Sequence, residues 1–400
     1  MGTDFIIRPW ERELFLGCRR AWDFGAHERQ GYEAVAPASF LDLERAVKDA
    51  LAVYYFPGMW DWNRAIVAPL ATEGFAKALR TQRAAYQAST AATLAADDAY
   101  QASTAATLAA DDAYQASTAA TLEDDEEAAG WEAASAAGRR MLAAYYDWAP
   151  KADKWTTVQV EALFDVTIPD PARPDHGLLA ADGRGVLYRL RVDLVVVDKA
   201  GRNWIVEHRL CEDGFAELDD LLLDDIALTR SWAWEQGFLG KVAGTIHNEL
   251  RFPRPDEPGP EAASPSAGAP STGPDVEWIK VGGRHVRRYN GPWFRRTRIR
   301  RKREEIEGAG VRVAEQGRLM ARTDLDCYPT PEWSTCRPCD FREPCLALMQ
   351  GNDPQPALAE HYRPRLRKDF EEGRLGSVWG YVPHRPDQTH VRLNPPPPGP

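Results

Sequence analysis

Three runs of β-branched and aromatic residues, 157–168 (TVQVEALFDVTI), 186–198 (VLYRLRVDLVVVD) and 203–210 (NWIVEHRL), constrain this chain more than any other feature. Such side chains pack well on an extended, half-buried backbone, so each run is expected as a strand. The connection DKAGRN carries turn residues and makes the last two runs an antiparallel hairpin. Flanking segments have helical spacing instead. Phe40, Leu41, Leu43, Ala46, Val47 and Leu51 recur on one helix face, with the aromatic stretch Tyr54 to Trp62 as a core corner. Downstream, Leu221, Leu222, Ile226, Leu228 and Trp232 mark the buried side of one helical stretch, 215–238. Strands between helical segments predict an α/β fold.

The hairpin also places charge. With its turn near Ala200, Asp193 lies across from Glu207. Period-two alternation puts Arg189, Arg191 and Asp193 with Glu207 and Arg209 on one face. Tyr188, Leu190, Val192 and Leu194 then share the opposite face, as do Val206, His208 and Leu210. One face is expected to be chemical, the other core. Carboxylates converging across a hairpin are what a hard cation such as Mg²⁺ or Mn²⁺ needs to promote phosphodiester cleavage. The pattern alone equally describes two acids on a solvated surface.

Net charge reads differently by region. Against 49 Lys+Arg, 60 Asp+Glu give −11, which as an average argues against a nucleic-acid partner. From Tyr86 the unit YQASTAATLAADDA occurs twice and then a third time as YQASTAATLEDDEE, so Tyr86, Tyr100 and Tyr114 stand 14 apart. This spacing predicts an Ala-rich helix or helix-helix connection with a slowly drifting apolar stripe, and it matches no longer solenoid period. Residues 86–127 hold nine acids and no Lys or Arg, which leaves the rest of the chain at −2. Residues 280–303, in contrast, hold eleven Lys/Arg and no acid. That density suits DNA phosphates, with Arg295, Arg296, Arg298, Arg300 and Arg301 as contacts and Tyr289, Trp293 and Phe294 as stacking groups. A solvated basic face offsetting the acidic repeat is the plainer alternative.

No apolar stretch is long enough for a membrane helix and the N-terminus carries charge where a signal peptide is apolar, so a cytoplasmic protein is expected. Six cysteines are too few for a secreted disulfide scaffold. Three of them, Cys336, Cys339 and Cys345, form C-x2-C-x5-C in STCRPCDFREPC, a loop whose thiolates can converge on a metal centre. Zinc and a four-iron cluster both call for a fourth thiolate, and Cys18, Cys211 and Cys327 are the candidates.

These residues resemble the RecB-like nucleases of the PD-(D/E)XK superfamily that carry an iron-sulfur cluster, including AddB-type helicase-nuclease subunits and CRISPR-associated exonucleases. The resemblance spans roughly residues 5–350, and the cysteines are its most specific part. It implies that Cys18, in LGCRRAWDF, joins Cys336, Cys339 and Cys345 around a structural 4Fe-4S cluster that clamps the two ends of the domain. It further implies a restriction-endonuclease-like core in which RVDLVVVD supplies the motif Asp and IVEHR the E-x-K strand. Asp193, Glu207 and the His208 carbonyl are then ligands of Mg²⁺ or Mn²⁺, and Glu161 resembles the acid of the first core strand. The implied activity is metal-dependent DNA cleavage, by an exonuclease acting in a repair, recombination or defence complex with a protein partner. The alternative is a catalytically inactive DNA-binding or complex-forming protein on the same scaffold. Three positions depart from the pattern. Arg209 replaces the motif lysine and, being always protonated, serves as a phosphate-stabilising cation rather than a base. Lys48 stands nearest to where a helical histidine belongs, and Arg230 or Trp232 to where a Q-x3-Y motif belongs.

The chain thus divides into a helical N-terminal part with the first cluster cysteine (1–82), the acidic insert (83–130) and the nuclease core (131–252). A flexible linker (253–275), a basic helical segment with the cysteine trio (276–350) and a tail (351–400), poorly ordered beyond about residue 352, follow. A phosphate-binding G-x4-G-K-[ST] loop does not occur, so any unwinding comes from another chain.

Overall fold

A computed structural model describes residues 4–34, 42–59, 61–104, 111–211, 214–238, 240–253 and 275–365. The N-terminal part runs β1 (Phe5–Ile7), α1 (Pro9–Gly17), α2 (Arg19–Gly25), β2 (Tyr32–Ala34), α3 (Leu43–Tyr54), α4 (Arg64–Thr104) and α5 (Asp111–Ala152). The central part runs β3 (Trp155–Thr167), β4 (Pro169–Asp170), β5 (Arg173–Gly177), β6 (Val186–Asp198), β7 (Asn203–Cys211), α6 (Leu218–Leu223), α7 (Asp225–Phe238) and β8 (Val242–Arg251). The C-terminal part adds β9 (Asp275–Val281), β10 (Arg284–Asn290), β11 (Phe294–Arg300) and α8 (Arg303–Met320). It closes with α9 (Trp333–Cys336), α10 (Arg342–Met349), α11 (Gln355–His361) and β12 (Tyr362–Pro364).

The protein is α/β, with a mixed eight-stranded sheet among the described residues in the order β1-β6-β7-β8-β11-β10-β9, and β3 also on β6. Strands β3, β6 and β7 coincide with the three β-rich runs, and the β6-β7 hairpin pairs Leu194 with Val206 through Val197 with Asn203. Its turn is closed by the Asp198 carboxylate, which accepts from the Ala200 and Arg202 N–H groups, while Gly201 supplies a φ of 74°.

The two long edges of β6 are used unequally, and this positions the site. Along one edge β3 pairs from Asp198 to Leu187. Along the other, β7 pairs only over 194–197 and β1 only over 186–188. Residues 189–193 therefore border a fork where β7 has left and β1 has not yet arrived. Alternation also breaks here: Tyr188, Leu190, Val192 and Val195 pack on one face of the sheet, Leu194 and Val196 on the other. Opposite Asp193, Glu161 takes a φ of 47°, a left-handed conformation that costs a non-glycine residue on the order of 1 kcal/mol or more.

Both sheet faces are covered. α3, α4 and α5 lie over Leu194, Val196, Trp204, Val206 and Ile246, while α7 and α8 lie over Val192, Val195 and Ile205. The expectation of one chemical face and one core face is therefore corrected, because helices bury apolar stripes against each side. Helices α4 and α5 meet closely: a Cβ on Gly138 would lie 2.2 Å from the Phe75 ring. The first repeat copy has a helical backbone in α4 and the third in α5; the second crosses 105–110, outside the described residues.

Other boundaries shift. The 215–238 stretch is two helices, because Asp224 ends α6 and its carboxylate accepts from Ala227 N–H in the first turn of α7. Leu221, Leu228 and Trp232 are buried, whereas Leu222 and Ile226 are half-buried. In the aromatic stretch, Tyr54 and Tyr55 are core but Trp62 is half exposed. The tail expected to be poorly ordered begins with α11 and β12, and β12 pairs with β2; residues 366–400 and the linker residues 254–274 lie outside the described set. Among the described residues no helix is long and apolar enough to cross a membrane.

The largest correction concerns the basic helical segment (276–350): α8 supplies its helix, but the basic run ahead of α8 is not helical. It forms β9, β10 and β11, because the neighbouring β8 buries Thr245, His247, Asn248 and Glu249. The register sets Arg295 opposite Glu249 and Arg296 opposite Asn248, and both guanidiniums bond those partners. A buried polar strand is stable only when its groups are paired, and the arginines pair them.

Candidate active site

At the fork, three carboxylates and two cations meet. Asp193 Oδ2 accepts from the His208 N–H at 2.9 Å, which fixes the carboxylate just where β7 departs. Lys48 Nζ, from α3, lies 3.4 Å from the same oxygen and 2.9 Å from Glu44 Oε1. Arg230, from α7, donates to Glu207 Oε2 and stands 3.9 Å from Asp193 Oδ1. Glu161, opposite Asp193 on β3, accepts from Arg191 at 3.0 Å. Asp193 and Glu207, expected across from each other, stand one step beyond the last paired residues, Leu194 and Val206, and both approach Arg230; Glu161 shares the electrostatic environment of Asp193 and Lys48.

Electrostatics sort these groups. Burial pushes the Asp193 carboxyl up, but Lys48 and Arg230 outweigh it and hold the group below the usual carboxylate range. For Glu161 burial prevails over Arg191, and its pKa rises. Lys48, buried yet facing Asp193 and Glu44, is raised and stays charged. His208 is pushed down to about 3 by burial, so it is neutral; its ring stacks on Tyr55 and its Nδ1 lies 3.0 Å from Asn248 Nδ2. It is structural, as expected of a side chain on the core face.

Two buried atoms at the fork lack a hydrogen-bond partner, Glu207 Oε1 and Arg230 Nε. Glu207 Oε1 is buried with no hydrogen bond, although Glu207 is only 3% exposed. An orphaned buried carboxylate oxygen carries a desolvation cost that a bound cation or ordered water removes.

Arg209 is not part of this group. It turns away from Glu207 to pair with Asp224, and its side chain is one-third exposed. Arg230 occupies the place expected of Arg209, because α7 crosses the fork and brings its guanidinium between Glu207 and Asp193. One acid missed in the sequence stands near the fork: Asp49, half-buried, is pushed up to about 7 by burial and by Glu161. A legible signal for Asp49 was its place in an amphipathic helix beside Lys48.

The cysteines gather at one end of the molecule. Cys18 lies between α1 and α2, and its Sγ accepts from the Thr330 N–H at 3.4 Å. The Cys336 Sγ lies 3.9 Å from the Thr330 carbonyl oxygen, so the two thiols bracket one residue. Cys339 and Cys345 are raised by burial and, further, by the field of Cys18. Cys18, Cys339 and Cys345 pack on a small core of Ala21, Phe24, Phe341, Leu358 and Tyr362 that joins the two chain ends. Cys327 sits elsewhere, 3.6 Å from Arg29 Nη2, and Cys211 ends β7 in the field of Glu249. Among the described residues, no three His, Cys, Asp or Glu side chains stand close enough to hold a single ion.

The expected DNA contacts are mostly internal. Arg296 is 1% exposed and bonds Asp153, Asn248, Tyr55 and Tyr145; Arg301 caps the Leu221 and Leu222 carbonyls. Arg295 pairs with Glu249, and Arg298 with Asp198 at 2.6 Å. Tyr289, Trp293 and Phe294 are core, not stacking surfaces. Of the five arginines only Arg300 is exposed. The basic run is thus corrected from one solvated face to a set of cross-strand partners for buried acids and amides.

Compared with known proteins, the sequence matches no family model and no curated protein.

Proposed function

We propose that this protein is a metal-dependent DNA nuclease of the RecB-like PD-(D/E)XK type. The carrying observation is the orphaned, buried Glu207 Oε1 beside Asp193 at the end of a strand pairing. Asp193 and Glu207, with the His208 carbonyl, are the hard oxygen donors that would hold Mg²⁺ or Mn²⁺, and Glu161 stands next to Asp193 on the neighbouring strand. The ion supplies water activation and charge neutralisation at the scissile phosphate. The chain's own residues do the rest. His208 N–H orients Asp193, and burial keeps the carboxylates in a low-dielectric site where their charge acts strongly. Arg230, released from Glu207 when the carboxylate is engaged, becomes the phosphate-facing cation.

The test is cleavage of single- and double-stranded DNA with Mg²⁺ or Mn²⁺. Turnover should fall to background in Glu207→Ala and Asp193→Ala; turnover that survives both sinks the reading. A second reading, a DNA-binding protein without cleavage, is favoured by one observation: Lys48 and Arg230 already neutralise the carboxylates. Salt-sensitive DNA binding with no metal-dependent turnover would select it.

Four thiols at the meeting point of the chain ends are the donor set that would hold a structural 4Fe-4S cluster, and a multi-iron group does not require its ligands to meet at one point. Closing a loop of more than 300 residues in this way stabilises the folded state. Cys18→Ser should lower iron content and melting temperature together; unchanged iron assigns the fourth ligand to Cys327 or Cys211.

A further inference from the structure

Beside the arginines consumed as internal partners, the same sheet face turns solvent-exposed toward β9. Cross-strand register places Trp278, Arg287 and Arg298 in one row, with Lys280 and His285 paired in the next row beside Arg300. No carboxylate stands at the positions of β9, β10 and β11 that share this face. Trp278 is 63% exposed, far more than a tryptophan needs for packing. Arg287 lies 5.3 Å over the Trp278 ring and 4.7 Å over Tyr289, makes no ion pair among the described residues, and its buried Nε has no hydrogen-bond partner. Lys280, His285 and Arg300 are exposed.

The row continues past β11. Arg298 reaches Asp198 at 2.6 Å, and Asp198 lines a cleft of about 290 Å³ with Lys154, Trp155 and Lys199. Both acids of the cleft are already paired, Asp198 with Arg298 and Arg202 and Asp153 with Arg296, so the lysines add net positive charge there. Asp193 lies five residues along the same strand from Asp198, about 17 Å at the usual rise.

We infer that this face binds a single-stranded nucleic acid. Its phosphates lie along Arg287, Lys280 and Arg300, and one base stacks on Trp278. A phosphodiester ligand fits because Lys280, Arg287 and Arg300 stand on this face with no carboxylate among its strand positions. A single strand fits because only an unpaired base offers a free ring to an exposed tryptophan. The inference deepens the nuclease reading and rests on it for the class of ligand: the face would receive the strand that the fork cleaves.

The test uses the full chain and a fluorescein-labelled oligo(dT) 20-mer, read by anisotropy in EDTA at several salt concentrations. Trp278→Ala should weaken binding roughly five- to hundredfold, and Trp278→Phe should restore most of it. The double variant Lys280→Glu, Arg300→Glu should flatten the salt dependence by about 0.7 in log-log slope for each lost phosphate contact. Both positions are exposed, so loss of folding is not expected, and an unchanged melting temperature checks it. Parent-like binding in Trp278→Ala and in the double variant overturns the inference. So does tighter binding of a duplex of the same length, or equal competition by polyglutamate, which would mark the face as a site for acidic protein. Binding in EDTA, with no cleavage once excess Mg²⁺ or Mn²⁺ is added, leaves this inference standing while the nuclease reading fails. Cleavage together with parent-like binding by the variants does the reverse.

Discussion

The carboxylate fork and the arginine-rich strand β11 are both dense in charge, yet they treat it oppositely. Arg296 is buried among Asp153, Asn248, Tyr55 and Tyr145, so its donors are occupied. Glu207 is as deeply buried but has one oxygen paired and one bare. A buried charge with every partner in place holds a fold together. One left incomplete is held by the surrounding structure at a cost, and such sites are where ligands bind. What distinguishes the regions is the state of satisfaction, not the residue type.

The contrast breaks most sharply on stability. Arg296→Met should destabilise the protein by about 3–5 kcal/mol in urea unfolding, because it strands Asp153, whose carboxyl burial already pushes up. Glu207→Gln should cost about 1 kcal/mol or less, since the amide oxygen still accepts from Arg230 and a like charge beside Asp193 is gone. Equal losses in the two variants would erase the distinction.

Next in size is a pair of arginines. Arg230→Ala should lower metal-dependent cleavage on the order of 10²–10³-fold, the usual effect of removing one group that stabilises developing charge. Arg209→Ala, which loses only the pair with Asp224, should lower it by less than about tenfold. A larger effect at Arg209 would restore the role its sequence position suggested.

The smallest effect is a pH dependence. Asp198 is buried, which pushes its carboxyl up, but Arg202, Trp204 and the turn N–H groups outweigh burial and hold it well below 3.8. A depressed folded-state pKa contributes stability above the unfolded value and loses it as pH falls through the folded one. Stability should therefore fall on acidification below about pH 4. Asp198→Asn should lose roughly 1.5–3 kcal/mol at pH 7 and lose less on acidification than the parent. Parallel pH profiles would place the acid sensitivity elsewhere.

Much of the fold was legible, and for local reasons. β3, β6 and β7 follow from β-branched runs, the turn from DKAGRN, and α3 from the spacing of Ala46, Val47 and Leu51. β8 was not legible, because VAGTIHNELR carries polar residues that strand patterns exclude. The strands of the basic run were not legible for the same reason, since nothing within 280–303 reveals that Glu249 and Asn248 stand across from Arg295 and Arg296. In the candidate site, the Asp193 and Glu207 pairing followed from hairpin register. The Arg209 and Arg230 exchange did not, because the crossing of α7 over the sheet is a long-range event.

By itself, then, the sequence determined the hairpin, the two carboxylates facing across it, the segregation of acidic repeat from basic strands, and the clustered cysteines. Each depends on residues near one another in the chain, where turn chemistry and side-chain period act. Only the tertiary structure decided which charges were spent on the fold and which stayed free. It paired Arg296 with Asp153 across more than 140 residues, set Cys18 beside the trio, and left Glu207 Oε1 bare. A charge is neutralised by whatever partner the packing brings near, and packing is not written in local pattern.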